Sequence, residues 1–247
     1  MKGGFLGDLA PADPTPPGAG LLLLTAFWLY LTAWAMVGFW LGGGEALTPD
    51  QAIRLHLPVW LVTSLPLLLV AARRRSWAAF LGLRRGAGGL GATLGKGLLM
   101  LAGGMLLWIP LGQGWFFLLG RSGVDIAPQE HYRYLAGQIA AGRPDLLLLA
   151  LVILVHPFFE ELIFRGLIQG FARRFLARPG AIAVAALLFG LLHFPWPFVF
   201  PLFLLGLLFG YIRERSGSIW GAWSAHALFN GGMMALSPWM VELYGAY

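Results

Sequence analysis

Polar and charged positions divide this chain into a series of long apolar runs. They are Leu21–Leu41, Leu57–Ala72, Leu90–Leu119, Leu146–Phe171, Gly180–Phe194, Phe198–Tyr211 and Ser218–Leu236. A helix crosses a bilayer with about 20 apolar residues rising about 1.5 Å each. The pattern predicts an all-α fold, a polytopic transmembrane helix bundle of about seven spans. An eighth span or a re-entrant piece fits within the long third run, which is expected to tilt or kink near Pro110. Residues 1–20, rich in Pro and Gly, predict a flexible N-terminal tail. Residues 21–247 predict a single transmembrane domain, because nowhere does the apolar pattern give way to a long polar segment.

Composition agrees: 58% of residues are hydrophobic and only 11% charged, and the mean hydropathy is +0.74. Soluble domains carry about a quarter charged residues, so the outer solvent of this bundle is lipid. There is no Cys, which excludes a disulfide framework, a Cys metal site and a thiol nucleophile. The net charge of +6 is carried almost wholly by Arg, in short loops between apolar runs. That is the positive-inside pattern rather than a nucleic-acid footprint. Arg73–Arg75, Arg84, Arg85, Arg173, Arg174, Arg213 and Arg215 mark the cytoplasmic side, with the N-terminus inside and the C-terminus outside. Ser76–Leu83, between two basic clusters, is expected to lie in the headgroup layer. Gly120–Asp145, with nearly balanced charges, is expected to be an external polar connection.

The fourth run contains His156-Pro-Phe-Phe-Glu160-Glu161-Leu-Ile-Phe-Arg165-Gly166. Each charge near the middle of a span costs roughly 2.5–3.5 kcal/mol on insertion scales. Glu161 and Arg165 are four apart and share a helix face, so they can neutralise each other as a structural brace. Glu160 points about 100° away, in line with His156 and Phe164. His156 is a neighbour of the site or simple packing. Later runs carry Phe189-Gly-Leu-Leu-His193 and His226-Ala-Leu-Phe-Asn230. At about 1.5 Å per residue from the nearest basic loop, Glu160, His193, His226 and Asn230 fall roughly 17–22 Å deep. A lone intramembrane His or Asn commonly serves as a helix–helix hydrogen bond. Four polar groups from three helices at one depth argue instead for one site.

A carboxylate, two imidazoles and an amide in a low-dielectric pocket suit amide hydrolysis by activated water. Glu160 is a candidate general base, with His193 sharing the water. His226 and Asn230 are candidate donors to the oxygen of a tetrahedral intermediate. Glu160, His193 and His226 also make a plausible three-ligand zinc site, and spacing does not separate the two readings.

Glu160-Glu161-x-x-x-Arg165, Phe189-x-x-x-His193 and His226-x-x-x-Asn230, in this order on successive spans, resemble the CPBP family. These are the CAAX proteases and bacteriocin-processing enzymes, also called the Abi family. The resemblance covers about Leu146–Leu236, and Leu81-Gly-Leu-Arg-Arg85 is similar to the family's usual lead-in. It implies that Glu160 and His193 activate water and that His226 and Asn230 hold the oxyanion. Glu161, Arg165 and Phe189 would support them. It further implies a membrane-embedded protease of the glutamate or metal-dependent type, in a bacterial or archaeal plasma membrane. The substrate would be a membrane-associated peptide or protein. Because the basic loops and the Arg173 and Arg215 ends lie on the cytoplasmic side, the pocket is expected to open toward that leaflet.

Other classes are tested by residue. Gly120-Arg-Ser-Gly123 has the letters of a rhomboid-like serine site but falls in the external connection. The Gly-x-Gly-Asp of aspartyl intramembrane proteases is absent. A proton-coupled transporter would string its polar residues across the membrane, whereas these cluster. A non-catalytic immunity or scaffold protein is the remaining alternative.

Overall fold

A computed structural model describes residues 16, 18–20, 25, 48–126, 130–193 and 196–244. The expected first span, 21–41, except for residue 25, and most of the N-terminal tail lie outside them. The described chain is all helical: α1 (Pro49–Arg73), α2 (Arg75–Phe80), α3 (Gly89–Arg121), α4 (Glu130–Ala140), α5 (Leu146–Ala172), α6 (Arg178–Leu192), α7 (Val199–Ser216) and α8 (Ile219–Tyr244). Helices α1, α3, α5 and α7, the last with the 3-10 turn before it, are long and apolar enough to cross a membrane. At 15 residues, α6 reaches only about 22 Å, short of a full crossing. Helix α8 is longer, at 26 residues, but carries His226 and Asn230 within it.

One expectation changes. The connection expected as an external polar loop contains α4. Its Tyr132, Leu135, Ala136 and Ile139 fall at i, i+3, i+4 and i+7, and Leu135 and Ala136 are fully buried. Tyr132, Leu135 and Ile139 belong to one cluster with Ile53 of α1 and Met234 of α8, and the Tyr132 hydroxyl donates to the Met233 carbonyl. The stretch before Arg84 and Arg85 is bonded to α8. Gly82 O accepts from Ile219 N at 2.9 Å and from the Ser218 hydroxyl at 3.1 Å. The Trp220 indole donates to Leu83 O at 3.0 Å. The basic loop is thereby fastened to the start of the helix that carries His226.

Small residues bring the site-bearing helices together. A side chain on Gly206 of α7 would meet Ala186 of α6 at 2.9 Å. One on Gly97 of α3 would run into the backbone of Gly221 on α8. From α3, the Trp108 and Trp115 indoles donate to Pro201 O and Pro197 O at 2.9 and 2.7 Å. They pin the α6–α7 turn, where His193 lies.

Candidate active site

Helix α5 is not a uniform α-helix. It widens to π-type turns at Leu151–Val155 and Leu162–Ile168, on either side of the α-helical His156–Glu161. Widened turns of this kind appear mostly as local bulges, frequently at functional sites. Here a physical cause is at hand. The His156 N–H bonds back five residues to Leu151 O, and in that register the partner of residue 157 is Val152 O. Pro157 has no N–H to give. The Asn230 amide of α8 donates to Val152 O instead, at 3.0 Å, and the Trp223 indole donates to Leu154 O at 2.9 Å. Side chains of α8 thus satisfy carbonyls released by the distorted helix, as a low-dielectric surround demands.

Between the two bulges the carboxylates emerge toward α6 and α8. Glu160 Oε2 lies 3.6 Å from His193 Nε2 and 3.7 Å from His226 Nε2. Both imidazoles are oriented through their other nitrogen. His193 Nδ1 is 2.6 Å from Phe189 O, and His226 Nδ1 is 2.9 Å from Glu161 Oε1. A carbonyl and a carboxylate only accept, so each Nδ1 carries the proton and each Nε2 faces Glu160. His226 is also held by stacking on Phe209, 4.6 Å between centroids, and by the edge contact of Phe189.

The expected Glu161–Arg165 pair is present at 3.2 Å, with both side chains fully buried. Arg165 donates to Gly206 O at 3.2 Å and lies 4.4 Å from the Phe189 ring centroid and 5.3 Å from that of Phe209. The pair is more than a brace, because the same Glu161 oxygen receives His226. One carboxylate therefore orients the imidazole that the other faces. His156 is buried one turn before Glu160. Sequence reasoning passed over Phe209, which carries only an aromatic's signature, and Gln169. The latter extends the Glu161, Arg165 row by one more i+4 step and donates to Gly210 O and Glu214 Oε1 at 3.2 and 2.9 Å.

The zinc alternative asks Glu160, His193 and His226 to surround one ion. Among the described residues, no three His, Cys, Asp or Glu side chains form a group able to hold a metal. The two histidines meet Glu160 pairwise.

Helices long enough to span a bilayer, with a shielded Glu/His cluster among them, define the class: an integral membrane protein with a polar site inside a helix bundle. Residues 142–232 match the family model described as Rce1-like, Type II CAAX prenyl endopeptidase Rce1-like. This is the CPBP/CAAX protease family that the three motifs resemble, and the matched stretch contains all of them. Comparison with curated proteins and with solved structures gave no significant match.

Proposed function

We propose that this protein is an intramembrane endopeptidase that splits a peptide bond of a membrane-associated peptide or protein with water activated at Glu160. The observation that carries the reading is the placement of Glu160 Oε2 at 3.6 and 3.7 Å from two oriented Nε2 atoms. These separations are too long for direct hydrogen bonds and suit one water held about 2.8 Å from each group. Glu160, with His193, takes a proton from that water as its oxygen bonds to the peptide carbonyl carbon. The carbonyl oxygen becomes an oxyanion, which His226 stabilises through Nε2 when that nitrogen is protonated. As the C–N bond breaks, the proton held by Glu160 and His193 passes to the leaving nitrogen. Asn230 has two amide hydrogens. One goes to Val152 O, so an oxyanion role falls to the other.

The catalytic core on this reading is residues 146–236. Substrate enters from the side of the α6–α7 turn, opposite to the cytoplasmic opening expected from the charges. His193 lies at the end of α6 remote from Arg178 and is the most exposed of the three, at 26% against 15% for Glu160 and 5% for His226. The positive-inside rule places the arginine-rich end in the cytoplasm, and with it the N-terminus. The test compares the termini of membrane proteins from cells with wild-type chain and with Glu160→Gln. Cleavage products that persist in the variant would defeat the proposal.

A further inference from the structure

We infer that the arginine-rich end of the bundle is a binding face for anionic phospholipid headgroups. Four separate stretches of sequence meet there. A side chain on Gly82 would meet Arg213 at 2.5 Å, one on Gly166 would meet Leu81 O at 2.9 Å, and one on Gly170 would meet Phe80 at 3.1 Å. Arg178 pairs with Glu214 at 3.1 Å. The end of α1, the α2–α3 loop, the α5–α6 turn and the α7–α8 turn are therefore one surface. Among the described residues it gathers Arg73, Arg74, Arg75, Arg84, Arg85, Arg173, Arg174, Arg178, Arg213 and Arg215 against a single acidic residue, Glu214. Seven of these, at 73, 74, 75, 84, 85, 174 and 215, are exposed. No acidic side chain pairs with them among the described residues.

The opposite end shows that this is not a general surface habit. There Arg54 bridges Asp50 and Asp145 at 2.9 and 2.8 Å. Sequence balances Arg54, Arg121, Arg133 and Arg143 with Asp50, Asp125, Glu130 and Asp145. Among the described residues one end balances its charges, with Arg54 bridging two carboxylates, while the other presents seven exposed arginines in excess of its acidic groups.

Three features favour a lipid surface over a soluble anionic partner. Phe175 is 63% exposed and Leu176 38% exposed beside Arg174, and the Arg174 guanidinium stands 5.6 Å from the Phe175 ring centroid. Tyr211, 50% exposed, lies one turn before Arg215. Apolar and aromatic side chains interleaved with arginines suit the boundary between acyl chains and phosphates. The Arg84–Arg85 loop is also held rigid by its bonds to Ser218, Ile219 and Trp220, so its charges are presented in a fixed arrangement.

The test uses the purified full chain in a neutral detergent, with phosphatidylglycerol and phosphatidylcholine of equal chain length as probes. Native mass spectrometry reads the lipid retained. Each basic residue near an anionic surface is worth roughly a five-fold change in binding, so retention of phosphatidylglycerol should exceed that of phosphatidylcholine by at least about ten-fold. Replacing Arg73, Arg74, Arg84 and Arg85 together by Gln should remove the preference, and replacing them by Lys should keep it. Should the Gln variant fail to fold, wild type in rising salt decides. The preference should fade between about 0.05 and 0.5 M as screening shortens the reach of exposed charges. Equal retention of the two lipids, an unchanged preference in a folded Gln variant, or insensitivity to salt would each overturn the inference. None of these readouts uses proteolysis, so the result stands apart from the proposed activity.

Discussion

Glu160 and Glu161 are neighbours in sequence, yet replacing each carboxylate by its amide should have opposite consequences. Glu161 is fully buried, and one oxygen accepts from Arg165 at 3.2 Å and His226 at 2.9 Å. Glu161→Gln keeps the shape but leaves the guanidinium, also fully buried, without a counter-charge. Breaking a buried pair from one side costs about 3–5 kcal/mol, close to a thousand-fold in the unfolding equilibrium. Glu160 retains 15% exposure and stands 3.6 and 3.7 Å from the two imidazole nitrogens. Glu160→Gln leaves no guanidinium without its counter-charge, so its stability should stay within about 1 kcal/mol of wild type. Its peptide hydrolysis should nevertheless fall by about 10²–10⁴-fold as the base is lost.

The assay is denaturant unfolding in micelles followed by tryptophan fluorescence, for which the chain has 11 Trp residues, run beside a cleavage assay. A third variant sharpens it. Glu161→Gln combined with Arg165→Met removes both charges and should recover at least about 1 kcal/mol over Glu161→Gln alone, because no uncompensated ion is left. Recovery should be partial, since Arg165 also donates to Gly206 O and stacks over Phe189. Equal stability of the two Gln variants, or a double variant no better than the single, would refute the claim that Glu161 holds a buried charge in place.

Other expectations follow from the same geometry. Trp223→Phe strands the Leu154 carbonyl and should cost about 1–3 kcal/mol in unfolding experiments; Asn230→Ala does the same at Val152 and should in addition slow cleavage about 10²–10³-fold. Gly97→Ala drives a methyl into the Gly221 backbone and should lower the unfolding midpoint, with overpacking costing about 1–3 kcal/mol or more. Asp145 caps α5 by accepting from the Leu147 and Leu148 N–H groups, and these, with Arg54, hold its carboxyl below the usual range. A lowered folded-state pKa stabilises above the unfolded value and is lost as pH falls through the folded one. Asp145→Ala should therefore be destabilising at neutral pH, with the gap to wild type closing in acid unfolding curves. Cleavage should survive a strong zinc chelator, and a loss reversed by added zinc would count against water activation by side chains alone.

How much of this was legible in the sequence depends on what each contact requires. Hydrocarbon makes stranded charge expensive, so depth counting from the basic loops brought Glu160, His193 and His226 to one level without a structure. Helical spacing paired Glu161 with Arg165. Neither argument fixes how α8 is rotated about its own axis, and so the bond from His226 to Glu161 was out of reach. A carboxylate assigned to a brace proved to be the one that orients an imidazole. Helix α4 was missed for a different reason: its apolar residues have helical spacing, but the charges around them dominated the reading of that stretch.

Asn230 marks the deeper limit. A helical wheel assumes a constant number of residues per turn, and α5 breaks that assumption around Pro157. Only when the chain is followed in its widened register does Val152 O become the acceptor that proline leaves empty and Asn230 fills. The same distortion lies just ahead of Glu160, so the amide that repairs the backbone also helps hold the carboxylate's helix against α8. Polar side chains in a membrane answer to two demands, closing backbone hydrogen bonds and doing chemistry. In this protein Asn230 meets the first by geometry alone, and the comparison of Asn230→Ala with Trp223→Phe isolates the second. Both variants release one carbonyl of the same bulge, so any excess loss of cleavage in the first, at matched stability, belongs to the reaction.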